Sequence, residues 1–556
     1  MHSRDGRAEA RTSRRTVSRA AAAAVGVVVV LAAGALRSNA GDGPTDKTPA
    51  ASKSSPGSAS FLDPLLQKEW KDAGLKPAPV ARDEEFLRRV YLDILGRTPT
   101  VAEAREFLSV KGGPEKRNRL VDQLLENVDY PKNMATEWSI LLLGRGRQER
   151  NVDRAALTAW LRKQFSANRP WNEIVYDLVT ASGSNKDNGA VNYTLAHLES
   201  EAVPLTSRTV RLFLGQQLQC VQCHDHPQND WKQADFWGIN AFFRGIKREE
   251  KRMVDGTGLE KVDHVELKDV PTEGFAKFDR RNGMMGIAFP KFIDGRKLEK
   301  PEKALRRVEL GKLITEPTGD LLPRAMVNRM WAHFMGRGFV NPVDDIGPHN
   351  TPVMPDVFDK LTQEFHESGY DLKQLIRWIT SSAAYQVSSV RPGKEKPEDD
   401  LFSVAALRPL SPEQLFDSLL TATAAHKTGS GRNDDKRDAW MRQFLFTFGN
   451  DEGDEATSFQ GTIPQSLMMM NGELMRDALS GKPGSFLADA VEQAGRQRRP
   501  SAFMVDQLYL AALSRHPSNA EASAAVHHLE SYPDAIPFLQ DLFWALLNSN
   551  EFILNH

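Results

Sequence analysis

The hydrophobic positions of this chain recur mostly at helical spacing. Between residues 84 and 95 they fall at Phe86, Val90, Tyr91 and Ile94, which places one apolar stripe along a helix. The same spacing continues through most of residues 61–247 and returns over residues 301–556. We therefore expect a mainly α protein that contains two multi-helical regions.

Residues 248–300 interrupt this helical pattern. They are highly charged, and residues 262–267 (VDHVEL) alternate apolar with polar side chains, as a strand with one buried face does. Gly256 and Gly283 mark turns. The sequence therefore predicts a small charged β-rich insertion or linker between a helical domain at 61–247 and a second helical domain at 301–556.

One helix–turn–helix pattern occurs near each end of the helical part of the chain. Residues 91–104 read YLDILGRTPTVAEA and residues 509–522 read YLAALSRHPSNAEA, with eight identities in fourteen positions. In both copies an arginine, Arg97 or Arg515, comes shortly before a Thr or Ser that can cap the next helix. We expect a repeated structural module in which each arginine bonds carbonyl groups at the end of the preceding helix.

The first 40 residues have the pattern of an export signal. Six arginines precede an apolar stretch at 20–36, and Ser38-Asn39-Ala40 fits a small-x-small cleavage site. An uncleaved membrane anchor is the alternative, because the apolar run is near the short limit for spanning a bilayer. Residues 41–60 are rich in Gly, Ser, Pro, Thr and Lys and predict a disordered linker. The expected location is the periplasm or cell envelope, with a possible membrane tether at the N-terminus.

The net charge argues against one class of partner, and the cysteine content argues against a disulfide-rich scaffold. The 556 residues include 72 basic and 73 acidic ones, a formal net charge of −1, whereas nucleic-acid-binding domains show a basic excess. We therefore expect no nucleic-acid partner. Two cysteines cannot build a disulfide-rich scaffold, so stability must come from buried apolar surface.

Both cysteines lie in one short segment, residues 220–227, which reads CVQCHDHP. Cys-x-x-Cys-His is the peptide to which haem c is attached, because the two thiols reach the two vinyl groups and the adjoining His supplies an axial nitrogen. Cys220, Cys223 and His224 are therefore candidate haem ligands. A disulfide between Cys220 and Cys223 and a reduced thiol pair are the alternatives.

The residues that follow this motif could instead bind a metal ion without haem. His224 and His226 flank Asp225, and imidazole together with carboxylate suits zinc or another transition metal. His224, Asp225 and His226 are therefore candidate metal ligands. Asp230 is a candidate for a further ligand or for a hydrogen-bond partner of a ligand.

A second polar cluster lies in the C-terminal helical region. Asn328 and Arg329 belong to a predicted helix, and Arg337, Asp344 and Asp345 follow in a glycine-containing loop. Paired acids can bind a cation or act as acid and base, and arginines can hold an anionic group. An internal salt-bridge network that pins the loop is the interpretation that we favour.

Longer motifs resemble a known pair of domains. Residues 87–93 (LRRVYLD) and 214–227 (LGQQLQCVQCHDHP) resemble the planctomycete-type cytochrome-like domain of unknown function. Residues 327–331 (VNRMW), 336–338 (GRG) and 343–345 (VDD) resemble its usual partner, the planctomycete-specific C-terminal domain of unknown function. The resemblance covers most of the chain after residue 60, and the cytochrome-like name refers to the CxxCH motif.

The chain departs from the family's usual pattern at two places. The family commonly has a Cys-x-Cys-Glu-Arg element where residues 455–460 read EATSFQ, and an acid after Trp-Leu where residues 138–140 read WSI. If those family cysteines pair with the first motif or ligate near it, this chain has lost that part of the site.

These alternatives lead to three functional hypotheses. The first is a haem c or redox protein of the cell envelope that exchanges electrons with a redox partner. The second is a non-haem metal protein, for example a hydrolase that acts on envelope or extracellular polymers. The third is a structural or interaction protein whose two cysteines form a disulfide. No oligomeric state follows from the sequence.

Overall fold

Helices dominate the structure, as the spacing of the apolar residues predicts. The structure is a computed structural model, and it describes residues 61–145, 151–226, 229–271, 275–298, 300, 303–316, 318–391, 393, 401–428, 433–448 and 463–556. The predicted export signal and linker, and the departure at 455–460, lie outside these ranges. Within them, no helix combines the length and the apolar character that crossing a membrane requires.

The helices before the insertion follow the predicted ones closely. They are α1 Asp63–Asp72, α2 Asp83–Leu95, α3 Val101–Ser109, α4 Pro114–Leu125, α5 Asp129–Leu143, α6 Arg154–Ser166, α7 Trp171–Thr180, α8 Val191–Ala196, α9 Glu199–Leu214 and α10 Gln233–Asn240. Short 3-10 helices at Gln219–Gln222 and Ala241–Gly245 flank α10.

The predicted β-rich insertion contains, in its described part, two antiparallel hairpins. Strands β2 Ile246–Val254 and β3 Glu260–Asp269 form the first hairpin, and β1 Gly183–Ser184 adds to the other edge of β3. Strands β4 Ala276–Asp279 and β5 Met285–Ala288 form the second. The first hairpin buries Val265 and Leu267 of β3, so the alternation of apolar residues selects the face that packs on the helices.

Helices resume after the insertion. They are α11 Arg306–Ile314, α12 Leu321–Met335, α13 Pro355–Glu367, α14 Leu372–Ser381, α15 Ala383–Gln386, α16 Pro412–Thr423, α17 Asn433–Phe448, α18 Ile463–Asn471, α19 Glu473–Ala478, α20 Phe486–Ala494, α21 Pro500–Leu513, α22 Asn519–Leu529, α23 Ala535–Leu547 and α24 Asn550–Ile553. Another 3-10 helix, Ala425–Lys427, follows α16, and β6 Arg408–Pro409 pairs with β7 Leu554–Asn555. The mainly α fold class is thus confirmed.

Two large hydrophobic cores hold the described residues together. The first uses helices on both sides of the insertion, from Leu62 to Phe402, together with Leu510 of α21. The second uses residues from Leu410 to Phe552 together with Leu92 of α2. Helix α2 contributes to both, because Leu92 packs in the second core while Phe86 and Val90 pack in the first. Helix α2 and, through Leu510, helix α21 therefore contribute to both cores.

Buried charges fix α2 to residues that are distant in the sequence. Arg88 donates to the carbonyl oxygens of Ala512 (2.9 Å) and Phe552 (2.5 Å). Asp93, only 1% exposed, accepts hydrogen bonds from Tyr385, Arg408 and Asn555. Such groups are stable in a core only when paired, so these partners are part of the fold.

The repeated helix–turn–helix module is confirmed, whereas its arginines bond mainly carboxylates. Each donates to a single carbonyl oxygen, that of Thr98 (3.0 Å) or His516 (3.2 Å), which lies beyond the end of the preceding helix. Arg97 bonds the carboxylates of Glu103 (2.9 Å) and Asp129 (2.9 Å). Arg515 bonds Glu521 (2.9 Å) and Glu551 (2.6 Å) in the same way. Carboxylates at the start of the following helices give charge-assisted bonds, which are stronger than bonds to helix carbonyls.

Candidate functional site

Helix α9 leads into the CVQCHDHP segment through a tight glycine turn. Gly215 ends the helix with a φ of 66°, and a Cβ there would lie 2.8 Å from Cδ1 of Ile346. Glycine therefore permits both the left-handed turn and the close approach of the 336–350 loop. The Gln219–Gln222 helix follows, with Val221 buried as its apolar contact.

The two thiols face outwards from this short helix. Cys220 and Cys223 are exposed and carry free thiols. Val221 between them points into the core, so the spacing of two residues leaves both sulfur atoms accessible from outside. The site therefore offers two accessible sulfur atoms on a turn that Val221 anchors in the core.

His224 is oriented by a backbone carbonyl group. Its Nδ1 lies 2.7 Å from the carbonyl oxygen of Asp225. A carbonyl oxygen only accepts, so Nδ1 holds the hydrogen and Nε2 keeps its lone pair. This tautomer is the one in which a histidine ligates a metal through Nε2 while its other nitrogen bonds a carbonyl group.

Cys223, His224 and Asp225 border an open cleft with a volume of about 980 Å³. Its other lining residues include the cations Lys232, Arg280 and Arg281 and the aromatic ring of Phe278. Most of the lining residues have polar or charged side chains, although their apolar atoms also face the cleft. The cleft therefore combines one aromatic wall with a cationic rim.

The aromatic wall belongs to the second hairpin. Phe278 of β4 stacks on Trp237 of α10 with ring centroids 5.6 Å apart and an interplanar angle of 3°. Nε1 of Trp237 donates to the carbonyl oxygen of Gln222 at 3.0 Å. The CxxC turn, α10 and the hairpin are therefore joined into one wall.

Asp225 is held at the rim of the cleft as a carboxylate. Its Oδ1 accepts from the backbone N–H of Gln233 at 2.9 Å, and Lys232 forms an ion pair with Oδ2 at 3.5 Å. The backbone hydrogen bond, followed by the charge of Lys232, holds the pKa of Asp225 below its usual range. Asp225 therefore adds one negative charge to a mainly cationic rim.

His226 has different neighbours from His224. Its Nδ1 accepts from the backbone N–H of Asn229 at 3.2 Å, and its ring centroid lies 5.7 Å from that of His349. Burial and the neighbouring His349 lower the pKa of His226, while the carboxylate of Asp345 acts in the opposite direction. His226 is therefore placed as a neutral ring at the contact with the 336–350 loop.

The described residues contain no group of three or more His, Cys, Asp or Glu side chains that could hold a metal ion. Asp230, the further candidate, is exposed. The set of His224, Asp225 and His226 stays a prediction.

The second polar cluster packs against the first. Asp344, 3% exposed, accepts from Arg211 of α9 and from Nε2 of Gln217 at 2.8 Å. Arg329 lies 3.9 Å from the same carboxylate. Burial would raise the pKa of Asp344, but the charge and hydrogen bond of Arg211, with Arg329, hold it below its usual range. Asp344 thus carries a buried negative charge that fixes the loop to α9.

The remaining members of this cluster have structural partners. Asn328 donates to the carbonyl oxygens of Val340 and Val343 and accepts from the N–H of Val340, which fixes the loop on α12. Arg337 lies over the ring of Phe402 at 4.5 Å, in the first core. Asp345 bonds Nε2 of His349 at 3.0 Å.

The two sequence clusters therefore meet at one seam. A backbone hydrogen bond also joins the two segments, since the N–H of Ile346 donates to the carbonyl oxygen of Gly215 at 2.8 Å. Sequence reasoning missed Arg211, Gln217 and His349 in this seam. Gln217 lies within the family-like motif and could have been found there, whereas the only local signal for His349 is its position four residues after Asp345.

Comparison with known proteins gives two family matches. Residues 61–248 match the family model described as PSCyt2, protein of unknown function (DUF1549). Residues 306–443 match PSD1, protein of unknown function (DUF1553). No curated protein and no solved structure matches the chain. The first match contains the CxxC turn and the second contains the loop that packs on it.

Proposed function

We propose that this chain, whose residues 61–248 and 306–443 belong to the PSCyt2 and PSD1 families of unknown function, is a redox protein of the cell envelope that holds haem c at residues 220–224. The proposed location follows from the arginine-rich and apolar pattern of the first 40 residues. The proposed partner is a second redox protein that exchanges electrons with the bound haem.

The orientation of His224 carries this proposal. Its Nδ1 is engaged by a carbonyl group, which leaves Nε2 as a lone-pair donor beside the cleft. In the same turn Cys220 and Cys223 present free, exposed thiols. Each thiol would add its sulfur and its hydrogen across one vinyl C=C bond, so that a thioether forms and no oxidant or reductant is consumed.

The cleft fits the size and charge of the group. Its volume of about 980 Å³ lies at the upper end of the range for cofactor pockets. Phe278, whose ring is largely buried and stacks on Trp237, contributes one apolar side chain to the cleft, and Arg280 and Arg281 can pair with the two propionate carboxylates. The polar lining fits a haem with one edge exposed to solvent, where a partner can reach it.

The bound haem would supply a one-electron couple, and the protein would position it. Arg211, Gln217 and Asp344 fix the loop that packs behind the CxxC turn, and Trp237 ties that turn to the hairpin wall. A rigid turn lowers the cost of holding His224 in the ligating orientation.

The test is periplasmic expression of the full chain together with a haem-c maturation system. We expect a Soret band, and a mass increase of one haem that survives acid–acetone extraction. The double variant Cys220→Ser/Cys223→Ser should lose both signals. His226→Gln is the matched control and should keep both, because its ring faces His349 and not the cleft.

A wild-type chain without covalent haem, in cells that mature a reference c-type cytochrome, would overturn the proposal. Stoichiometric zinc in that haem-free protein would favour the metal hypothesis. A Cys220–Cys223 disulfide without bound metal would favour the structural hypothesis.

A further inference from the structure

The second hairpin has a largely exposed apolar face, on which Phe289 makes an edge-to-face contact with Phe275 at 5.9 Å between ring centroids. Met285, Ile287 and Phe289 alternate along β5 and just beyond it, and they are 63%, 50% and 60% exposed. Met284 in the adjoining turn is also exposed. Isolated exposed apolar side chains are common, but four within six residues on one small hairpin form a patch that marks an interaction surface.

The opposite face already accounts for the packing of the hairpin. Ala276, Phe278 and Ala288 are buried and pack with Ala241 and Trp237. The strand alternation sends Met285 and Ile287 to the other side, away from this small core. The outward side chains are therefore free to serve another contact.

Cations border the outward face. Lys277, Arg280 and Arg281 are exposed, and Arg280 and Arg281 form no ion pair with the described residues. The hairpin itself, residues 276–288, holds three cations, Lys277, Arg280 and Arg281, and one acid, Asp279, although the whole chain has a net charge of −1. The positive charge is therefore concentrated on the hairpin that exposes the apolar side chains.

We infer that this face binds the surface of an anionic lipid bilayer. Aliphatic and aromatic side chains can enter the interfacial region while Lys and Arg pair with lipid phosphates. The four apolar side chains bring no hydrogen-bonding group, and the surrounding charge has one predominant sign, which fits a uniformly anionic surface better than a protein surface of mixed polarity. The exposed apolar side chains and Lys277 carry this inference without haem, whereas Arg280 and Arg281 also line the cleft of the proposed haem site.

Hydrogen–deuterium exchange of the full chain tests this inference, because it reports on the hairpin itself and not on the N-terminal segment. The probes are vesicles of phosphatidylcholine with about 30% phosphatidylglycerol, and vesicles of phosphatidylcholine alone. We expect amides at 277–289 to exchange about tenfold more slowly with the anionic vesicles. Neutral vesicles should leave their exchange unchanged.

The triple variant Met285→Ser/Ile287→Ser/Phe289→Ser should lose this protection. The matched control is Val128→Ser/Phe446→Ser/Leu467→Ser, which replaces three apolar side chains outside the insertion that are each more than half exposed, and it should keep the protection. Protection of 277–289 that persists in the first variant would overturn the inference. Protection that arises without lipid as protein concentration rises would also overturn it, since a second copy would then cover the face.

Discussion

The two helix–turn–helix copies share their turn but differ in the helix that precedes it. Arg97 and Arg515 each bind two carboxylates, and Thr100 and Ser518 each form a capping box with the following Glu. Helix α2 of the first copy buries Arg88, Arg89 and Asp93, whereas α21 has Asp506, Gln507 and Ala511 at the corresponding positions. The turn is thus an independent local unit, and the helix before it is adapted to its surroundings.

This difference follows from where the two helices lie. Helix α2 contacts both hydrophobic cores and also satisfies groups at the end of α21 and in β7. Helix α21 packs mainly in the second core, although its Leu510 packs in the first, and it has the small apolar residue Ala511 where α2 has Asp93. Resemblance of two segments therefore predicts shared turn chemistry but not shared burial of charge.

The largest expected effect tests the buried carboxylate that only the first copy has. Asp93→Ala should lower the free energy of unfolding by about 3 to 5 kcal/mol, because Arg408 and Tyr385 lose their buried partner. Denaturant unfolding followed by circular dichroism measures the change. Asp93→Asn, which keeps an acceptor oxygen, should cost less, and equal losses would show that charge pairing with Arg408 is unimportant.

An intermediate effect tests the arginine that both copies share. Arg97→Met and Arg515→Met should each cost about 2 kcal/mol at neutral pH, because each leaves two neighbouring carboxylates without a cation. If the copies are equivalent, the two losses should agree within about 0.5 kcal/mol. If only one of the two variants loses stability, the two arginines do not have equivalent roles.

Low pH should reduce the loss of stability that Arg515→Met causes. Hydrogen bonding by Arg515 lowers the pKa of Glu521 to about 2 from its ordinary value of 4.5. A carboxyl group whose pKa is depressed by folding stabilises the protein above its unfolded pKa, and this contribution fades as pH falls towards the folded value. The cost of Arg515→Met should therefore shrink between about pH 4.5 and 2, as denaturant unfolding across that range would show. Glu103, whose pKa Arg97 also lowers against the effect of burial, predicts the same trend for Arg97→Met.

The smallest effect tests the residue that ends the first helix of each copy. Gly96 and Ser514 occupy the same left-handed position, with φ of 72° and 59°. Gly96→Ser should cost about 1 to 2 kcal/mol, since a Cβ there would also collide with the side chain of Asn133. Ser514→Gly should stabilise by about 0.5 to 1 kcal/mol, because it relieves a strained φ and removes a buried hydroxyl without a partner. Thermal unfolding of both variants measures these opposite signs, and a destabilised Ser514→Gly would contradict the assignment of strain.

Local features of the fold were readable from the sequence. Apolar spacing defined α2 and α7, and the Thr100–Glu103 cap was visible as a pattern. The partners of Arg97 were not readable, because Asp129 lies 32 residues away and only folding brings it near. Buried Arg88 was equally invisible, since its partners are carbonyl groups, which every residue offers.

The sequence predicted which residues belong to the candidate site but not how they are arranged. The motif indicated Cys220, Cys223 and His224, and the loop indicated Asp344. That His226 turns to His349, and that Asp344 pairs with Arg211, depends on how the 336–350 loop crosses α9. Spacing along a chain carries no information about such a crossing between distant segments.

The pairing of α2 with residues near 512, 552 and 555 also affects how the chain reaches its native state. Arg88 contacts Ala512 and Phe552 across sequence separations of 424 and 464 residues. Contacts between residues this far apart in the sequence form late, because the chain loses conformational entropy on closing a very long loop before the contacts can stabilise it. An emerging chain would thus expose an incompletely satisfied α2 until its last helices follow, and such intermediates are the species that chaperones protect from aggregation.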